Sequence, residues 1–220
     1  MIEVAPRVWL LPGFPRFAVN VYLVEDVLID AASRWDRGRI ESNLRGRSLS
    51  LVALTHCHPD HQGSVAWACE HYGAGLACHE ADADVMEGRA PMRPDNFFVR
   101  LADRLASGPP RRVDEVLYGG EVIAGFRVVP TPGHTPGHVC YFRESDRVLL
   151  AGDVLVHVNL LTGKPQLGEP IRVGTVDRQL NRQSILKVRD LEPSLICFGH
   201  GPPLDDMKQL DRFIAARGIF

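Results

Sequence analysis

No stretch of this sequence approaches the ~20 consecutive apolar residues that a helix needs to cross a bilayer. The start, Met-Ile-Glu-Val-Ala-Pro, lacks the basic segment and apolar run of a secretory signal. A cytoplasmic protein without a membrane partner is the expectation. Cysteine is scarce: Cys57, Cys69, Cys78, Cys140 and Cys197 are scattered and never fall in C-x-x-C spacing. That excludes a disulfide framework and a thiolate zinc site, and leaves small buried hydrophobes. An excess of either charge is missing too, with 25 Lys and Arg against 27 Asp and Glu and a formal net charge of -2. Such a balance exerts no general pull on nucleic acid, so that partner class is not expected. The G-x-S-x-G elbow of serine hydrolases is also absent.

What is present is enough apolar material for a sizeable core, 45% of 220 residues. Val19 to Leu23 and Val27 to Ala31 read as a hairpin, and Arg34 to Arg47 as an exposed, Arg-rich helix. Leu49 to Thr55 is a strand candidate and Gln62 to Tyr72 a helix; the pattern repeats with a strand at Gly75 to Cys78 and a helix from Glu80 to Met86. Residues 87–112, with Pro91, Pro94, Pro109 and Pro110 around a helix at Asn96 to Ala106, read as an insertion and a candidate lid. Strands follow at Phe126 to Pro130, Val139 to Arg143 and Val148 to Ala151. A Gly- and Pro-rich loop leads to a helix at Val176 to Arg189, a strand at Leu195 to Phe198 and a final helix at Leu204 to Arg217. This order of hairpins, strands and helices favours an α/β (α+β) arrangement of two mixed sheets covered by helices, in one domain over residues 1–220.

The densest chemical signal is His56-Cys57-His58-Pro59-Asp60-His61. On an extended chain alternation sends His56, His58 and Asp60 to one side and Cys57 to the other, and His61 can swing round from the next helix. Imidazole and carboxylate are the groups zinc takes outside thiolate sites, at about 2.0–2.2 Å. Three further segments place a His or Asp beside glycine after a β-rich run: Gly133-His134-Thr135-Pro136-Gly137-His138, Ala151-Gly152-Asp153 and Phe198-Gly199-His200-Gly201.

Together, in this order, these segments resemble the metallo-β-lactamase superfamily over nearly the whole chain, and the glyoxalase II-like branch in particular. The resemblance implies a four-layered αββα sandwich with metals at one edge of the sheets. It implies that His56, His58 and His134 hold a first metal, that Asp60, His61 and His200 hold a second, and that Asp153 bridges them. Aspartate at position 153, where class B β-lactamases commonly have cysteine, separates the chain from antibiotic-resistance enzymes. Only 20 residues follow His200, short of the helical region with which glyoxalase II binds glutathione. His138 is expected to be structural, and His71 and His79 to be ordinary packing or surface residues.

The implied cofactors are two zinc ions, with iron or manganese as alternatives, and the implied substrate is a small molecule. Two such ions share a water whose pKa falls toward neutrality, so that a metal-bridging hydroxide attacks an ester, thioester or lactone carbonyl. Asp60 then orients the hydroxide and passes its proton to the leaving group. His157, Leu160 and Leu161, following the bridging position, are the expected substrate contacts. The alternative is an oxidoreductase resembling the mononuclear iron persulfide dioxygenases; a phosphodiesterase or a non-catalytic metal-binding module ranks lower. The sequence leaves the oligomeric state open.

Overall fold

The computed structural model describes residues 1–159 and 162–220. Seven strands form one sheet in chain order: β1 (Ile2–Ala5), β2 (Val8–Leu11), β3 (Val21–Val24), β4 (Val27–Ile29), β5 (Leu51–Ala53), β6 (Gly75–His79) and β7 (Glu115–Leu117). The first four pair antiparallel, whereas β4 to β7 pair parallel. The second sheet comprises β8 (Val122–Ile123), β9 (Phe126–Pro130), β10 (Val139–Arg143), β11 (Val148–Gly152) and β12 (Leu195–Phe198) in the order β12-β11-β10-β9-β8. Only its β11–β12 pair is parallel among the described strands.

Strand alternation sorts the apolar residues into three cores. Leu23, Leu28, Val52 and Leu76 face helices α1 (Arg37–Asn43), α3 (Val65–Tyr72) and α4 (Glu80–Met86), meeting Ile40, Ala68 and Met86. Their strand neighbours Tyr22, Val24, Val27, Ile29, Leu51 and Ala53 point the other way and meet Phe126, Val128, Tyr141 and Leu150 between the sheets. Cys140, Phe142, Leu149 and Ile196 face helices α6 (Arg178–Asp190) and α7 (Met207–Arg217), against Ile185, Val188 and Phe213. Both faces of both sheets are thus buried, which is why the strands read as continuous apolar runs. The result is the expected αββα sandwich. Among the described residues no helix is long and apolar enough to cross a membrane.

Several boundaries differ from the sequence expectation. The first two strands, β1 at the sheet edge and β2 beside it, were hidden by their short length. The Arg-rich helix contracts to α1, and the helix expected from Gln62 to Tyr72 divides into a turn, α2 (Pro59–Gln62), and α3. They part at Ser64, whose hydroxyl donates to the Ser33 carbonyl. Residues 87–112 carry α5 (Phe97–Ala106), capped by the Asn96 side chain, which accepts from the Val99 amide at 3.1 Å.

The two sheets are tied together at one edge. The Tyr22 hydroxyl on β3 donates to the Phe198 carbonyl of β12 at 2.8 Å, and the Tyr141 hydroxyl on β10 donates to the Leu54 carbonyl after β5 at 2.7 Å. Asn20 adds side-chain bonds to the carbonyls of Phe198 and Gly201. All three residues are buried, so a carbonyl left without its donor there is cut off from water. Tyr141→Phe should therefore lower stability by about 1–3 kcal/mol, read as a lower urea midpoint with an unchanged slope. An unchanged midpoint would show that the Leu54 carbonyl finds another donor.

Candidate metal centre

Every candidate ligand leaves a strand at that tied edge: the first group follows β5, His134 follows β9, Asp153 follows β11 and His200 follows β12. Both sheets contribute. The structure brings His56, His58 and His134 together, and likewise Asp60, His61 and His200, with His56, His61 and Asp153 forming an overlapping set; ligand atoms within each set lie within 4.8 Å of one another. Cys57 turns away into the helix-side core, as alternation requires.

The protons of the first trio can be placed one by one. His58 Nε2 lies 2.7 Å from the Arg93 carbonyl, which only accepts, so Nε2 carries the hydrogen and Nδ1 is a bare lone pair. Thr55 Oγ1 donates its one proton to Asp30 Oδ2 at 2.8 Å and must accept from His56 Nδ1 at 3.0 Å, which leaves His56 Nε2 bare. Thr175 Oγ1 donates to the Ile171 carbonyl and accepts from His134 Nδ1 at 3.2 Å, so His134 Nε2 is bare as well. These three nitrogens face one another, with His58 Nδ1 3.1 Å from His56 Nε2 and 2.9 Å from His134 Nε2. Burial, reinforced for His56 and His134 by neighbouring imidazoles, holds all three pKa values below the ordinary histidine value and keeps the rings neutral.

The second trio has the opposite electrostatics. His61 Nδ1 donates to Asp30 Oδ2 at 2.8 Å and its Nε2 faces Asp153 Oδ1 at 3.5 Å. Burial opposes charge on this ring, but the Asp30 and Asp153 carboxylates outweigh it and raise its pKa to about 10. His200 donates from Nδ1 to the Ala18 carbonyl and turns Nε2 to Asp153 Oδ2 at 3.1 Å and Asp60 Oδ2 at 3.3 Å. Burial resists its charge too, and Asp153 and Asp60 again prevail and push its pKa well up. Against the same resistance of burial, His200 and His61 hold Asp60 and Asp153 below the ordinary carboxylate range. Asp153 reaches both trios, its Oδ2 standing 3.8 Å from His134 Nε2. Its Oδ1 and His61 Nε2 are buried and have no hydrogen-bond partner among the described residues.

Divalent cations fit this donor set. Three converging lone pairs with no proton between them, two orphaned buried polar atoms and two ionised carboxylates all call for positive charge.

Groups the sequence reading did not single out hold these donors in place. Asp30 closes the run Val27-Leu28-Ile29, accepts from the Thr55 amide and hydroxyl, and orients both His61 and, through Thr55, His56. An acid ending a fully apolar strand was its one visible signal. Asp82, buried on α4, accepts from the Cys57 and Gly137 amides and the Thr135 hydroxyl, so it joins the first ligand loop to the second. Asp153 owes its position to His138, whose Nε2 accepts from the Asp153 amide at 2.9 Å while Nδ1 bonds Thr131. Burial lowers the His138 pKa to about 3, which preserves that acceptor. Two glycines permit the crowding: a Cβ on Gly199 would stand 2.3 Å from Asp153 Oδ1, and Gly152, at φ +52, would strike Thr55 and His138.

Other expectations fare differently. His157 is buried, donates from Nδ1 to the Pro202 carbonyl at 2.8 Å and lies against Phe198. It is not among the residues that line the cleft of about 560 Å³ over the metal centre; its neighbours Val156, Val158 and Asn159 are, opposite Leu167, Pro170 and Ile171. Leu160 and Leu161 lie outside the described residues. His71 stacks on Trp67, and His79 caps α4 by accepting from the Ala81 amide.

The sequence profile of the Metallo-beta-lactamase superfamily matches residues 14–200. The chain is 31% identical over 215 residues to the probable metallo-hydrolase YflN of Bacillus subtilis, covering 84% of this chain and 81% of that protein. It is 29% identical over 145 residues to a hydroxyacylglutathione hydrolase of Bradyrhizobium, covering 62% of this chain and 48% of that one. The crystal structure of TTHA1623 in a di-iron-bound form superposes with a TM-score of 0.68 at 27% identity, over 92% of this chain and 94% of its own. The sandwich, the order of the donors along the chain and a profile match across most of its length agree: the chain belongs to the metallo-beta-lactamase superfamily.

Proposed function

We propose that this chain is a binuclear metal-dependent hydrolase that cleaves an ester, thioester or lactone bond in a small, partly apolar molecule. The observation that carries the reading is the convergence of three proton-free imidazole nitrogens beside a second, carboxylate-rich trio, with Asp153 within reach of both. His56, His58 and His134 would hold one ion, Asp60, His61 and His200 the other, and Asp153 both. Ions so held supply a water of near-neutral pKa and Lewis-acid polarisation of a carbonyl oxygen.

The chain's own residues do the rest. Asp60 opens onto the cleft with its side chain 38% exposed, and its ionised carboxylate accepts the proton of the attacking water and delivers it to the leaving oxygen or sulfur. Asp30, Thr55, Thr175 and the Arg93 carbonyl keep each imidazole proton on the far side of its ring, so the lone pairs stay directed inward. Val156, Val158, Leu167, Pro170 and Ile171 give the cleft an apolar wall against which an acyl group packs and from which water is excluded.

Zinc is the metal we assign, because the donors are nitrogen and oxygen; the di-iron form of TTHA1623 makes iron the competitor. Metal analysis of the purified protein, with assays on thioesters, lactones, phosphodiesters and persulfides, decides between them. Two zinc ions per chain with carbonyl hydrolysis are expected; one iron with oxygen uptake on a persulfide would replace the reading with an oxidoreductase.

Asp153→Ala should lower kcat/KM at least about a hundredfold and reduce the bound metal below two per chain, since two cations would then share less compensating charge. Turnover near wild type with both ions retained would remove Asp153 from the bridge. His71→Ala, remote from the site, should leave metal content unchanged.

Asp30→Asn keeps the side-chain volume but weakens the acceptor for His61 and Thr55. It should weaken metal affinity about 10–100-fold, with activity returning at high metal concentration. An unaltered metal titration would show that Asp30 serves the fold alone.

A further inference from the structure

A helix with a pronounced apolar stripe ordinarily turns it to the core. Helix α5 does the reverse. At ~100° per residue Phe97, Leu101, Leu105 and Phe98 fall within an arc of about 100°, and Val99 points about 100° beyond it. Val99 is buried, whereas Phe97, Phe98, Leu101 and Leu105 are 72%, 62%, 44% and 54% exposed. The patch extends at both ends. Trp35, 74% exposed, donates its indole N–H to the Leu105 carbonyl at 3.0 Å. At the other end Asn96 donates from its side chain to the Val173 carbonyl at 2.8 Å and so fixes α5 beside the exposed Ile171 and Val173. Ile171 also lines the cleft over the metal centre, so the apolar surface runs to the mouth of the site.

Cations flank this surface. Arg34 stacks on Trp35 with 4.7 Å from guanidinium to ring, Arg93 precedes α5, Arg104 projects from its exposed side and Arg172 stands between Ile171 and Val173. Arg100 pairs with Asp95, but none of those four has an ion-pair partner among the described residues. The net charge of -2 therefore conceals a local basic rim.

We propose that the exposed face of α5, with Trp35 and the Ile171–Val173 edge, docks on a lipid surface bearing anionic headgroups and presents the cleft mouth to it. Tryptophan, phenylalanine and leucine on one face with arginines at its margin are the composition of a helix lying in a membrane interface. The apolar side chains enter the acyl boundary while the arginine stems reach back to the headgroups. A second copy is the poorer occupant, since a two-fold contact through this face sets the same unpaired arginines against each other. Docking is independent of the reaction assigned to the site, and its test reads binding alone.

The test is flotation of the purified full chain with phosphatidylcholine vesicles and with vesicles that also contain phosphatidylglycerol. We expect at least about tenfold more protein on the phosphatidylglycerol vesicles, falling as salt is raised. The double substitution Phe98→Asp, Leu101→Asp should reduce binding at least about tenfold, because it removes two large apolar groups from the contact. Arg104→Glu with Arg172→Glu should abolish the preference for phosphatidylglycerol. If the double variant melts early, Phe97→Ser gives the same reading from the most exposed apolar position of the helix. Wild-type protein that ignores both vesicles, or variants that bind as well as wild type, would overturn the proposal. So would equal binding to both vesicle types, or a solution dimer that the Phe98→Asp, Leu101→Asp substitution splits.

Discussion

The structure depends on keeping hydrogen out of one small volume. His56 Nε2, His58 Nδ1 and His134 Nε2 meet as lone pairs, and each can do so only because the far nitrogen of its ring has an acceptor of its own. Three electron-rich atoms at such distances repel in the absence of a cation. Their arrangement is held by the fold, which fixes the rings through Thr55, Arg93 and Thr175 and fixes Thr55 in turn through Asp30. The second trio solves a different problem. There two carboxylates, Asp153 buried and Asp60 at the cleft wall, are kept ionised by the positive charge that His61 and His200 carry in their field. A divalent ion held between the same groups would take over that role and give the buried His61 Nε2 and Asp153 Oδ1 a partner.

The sandwich places these demands at its edge, where strand ends rather than strand centres supply the chemistry. A donor within a sheet would have to break a ladder to turn inward. A donor just beyond it need only be held. Tyr22, Tyr141 and Asn20 do that holding between the sheets, and Asp82 does it between two ligand loops. The strain of packing so many polar groups together is relieved at Gly152 and Gly199, where a side chain would collide with the site itself.

Much of this was legible in the residues. The alternation in His56-Cys57-His58 and the glycine-flanked His134, Asp153 and His200 signalled a shared site, because spacing along a strand end is a local property. Two mixed sheets covered by helices followed from the order of hairpins, strands and helices, and the αββα layering from the family resemblance. Asp30 and Asp82 were not legible: their roles depend on which loops the fold brings beside them, and a single acid after a strand or within a helix has many ordinary explanations. The placing of His157 was not legible for the same reason. This residue follows Asp153 by four positions, but the backbone turns so that its ring packs on Phe198 and its neighbours face the cleft. Leu160 and Leu161, expected beside it, fall outside the described residues. The short strands β1 and β2 escaped because four residues of strand carry almost no periodic signal.

The donors come from both sheets and from opposite halves of the chain. His56, His58, Asp60 and His61 emerge after β5, whereas His134, Asp153 and His200 appear only once the second sheet exists. A nascent or partly folded chain therefore holds an incomplete set at every stage until β12 docks on β11. Ions bound by the complete set would therefore mark a finished fold, a latch that would close last and stabilise only the completed sandwich.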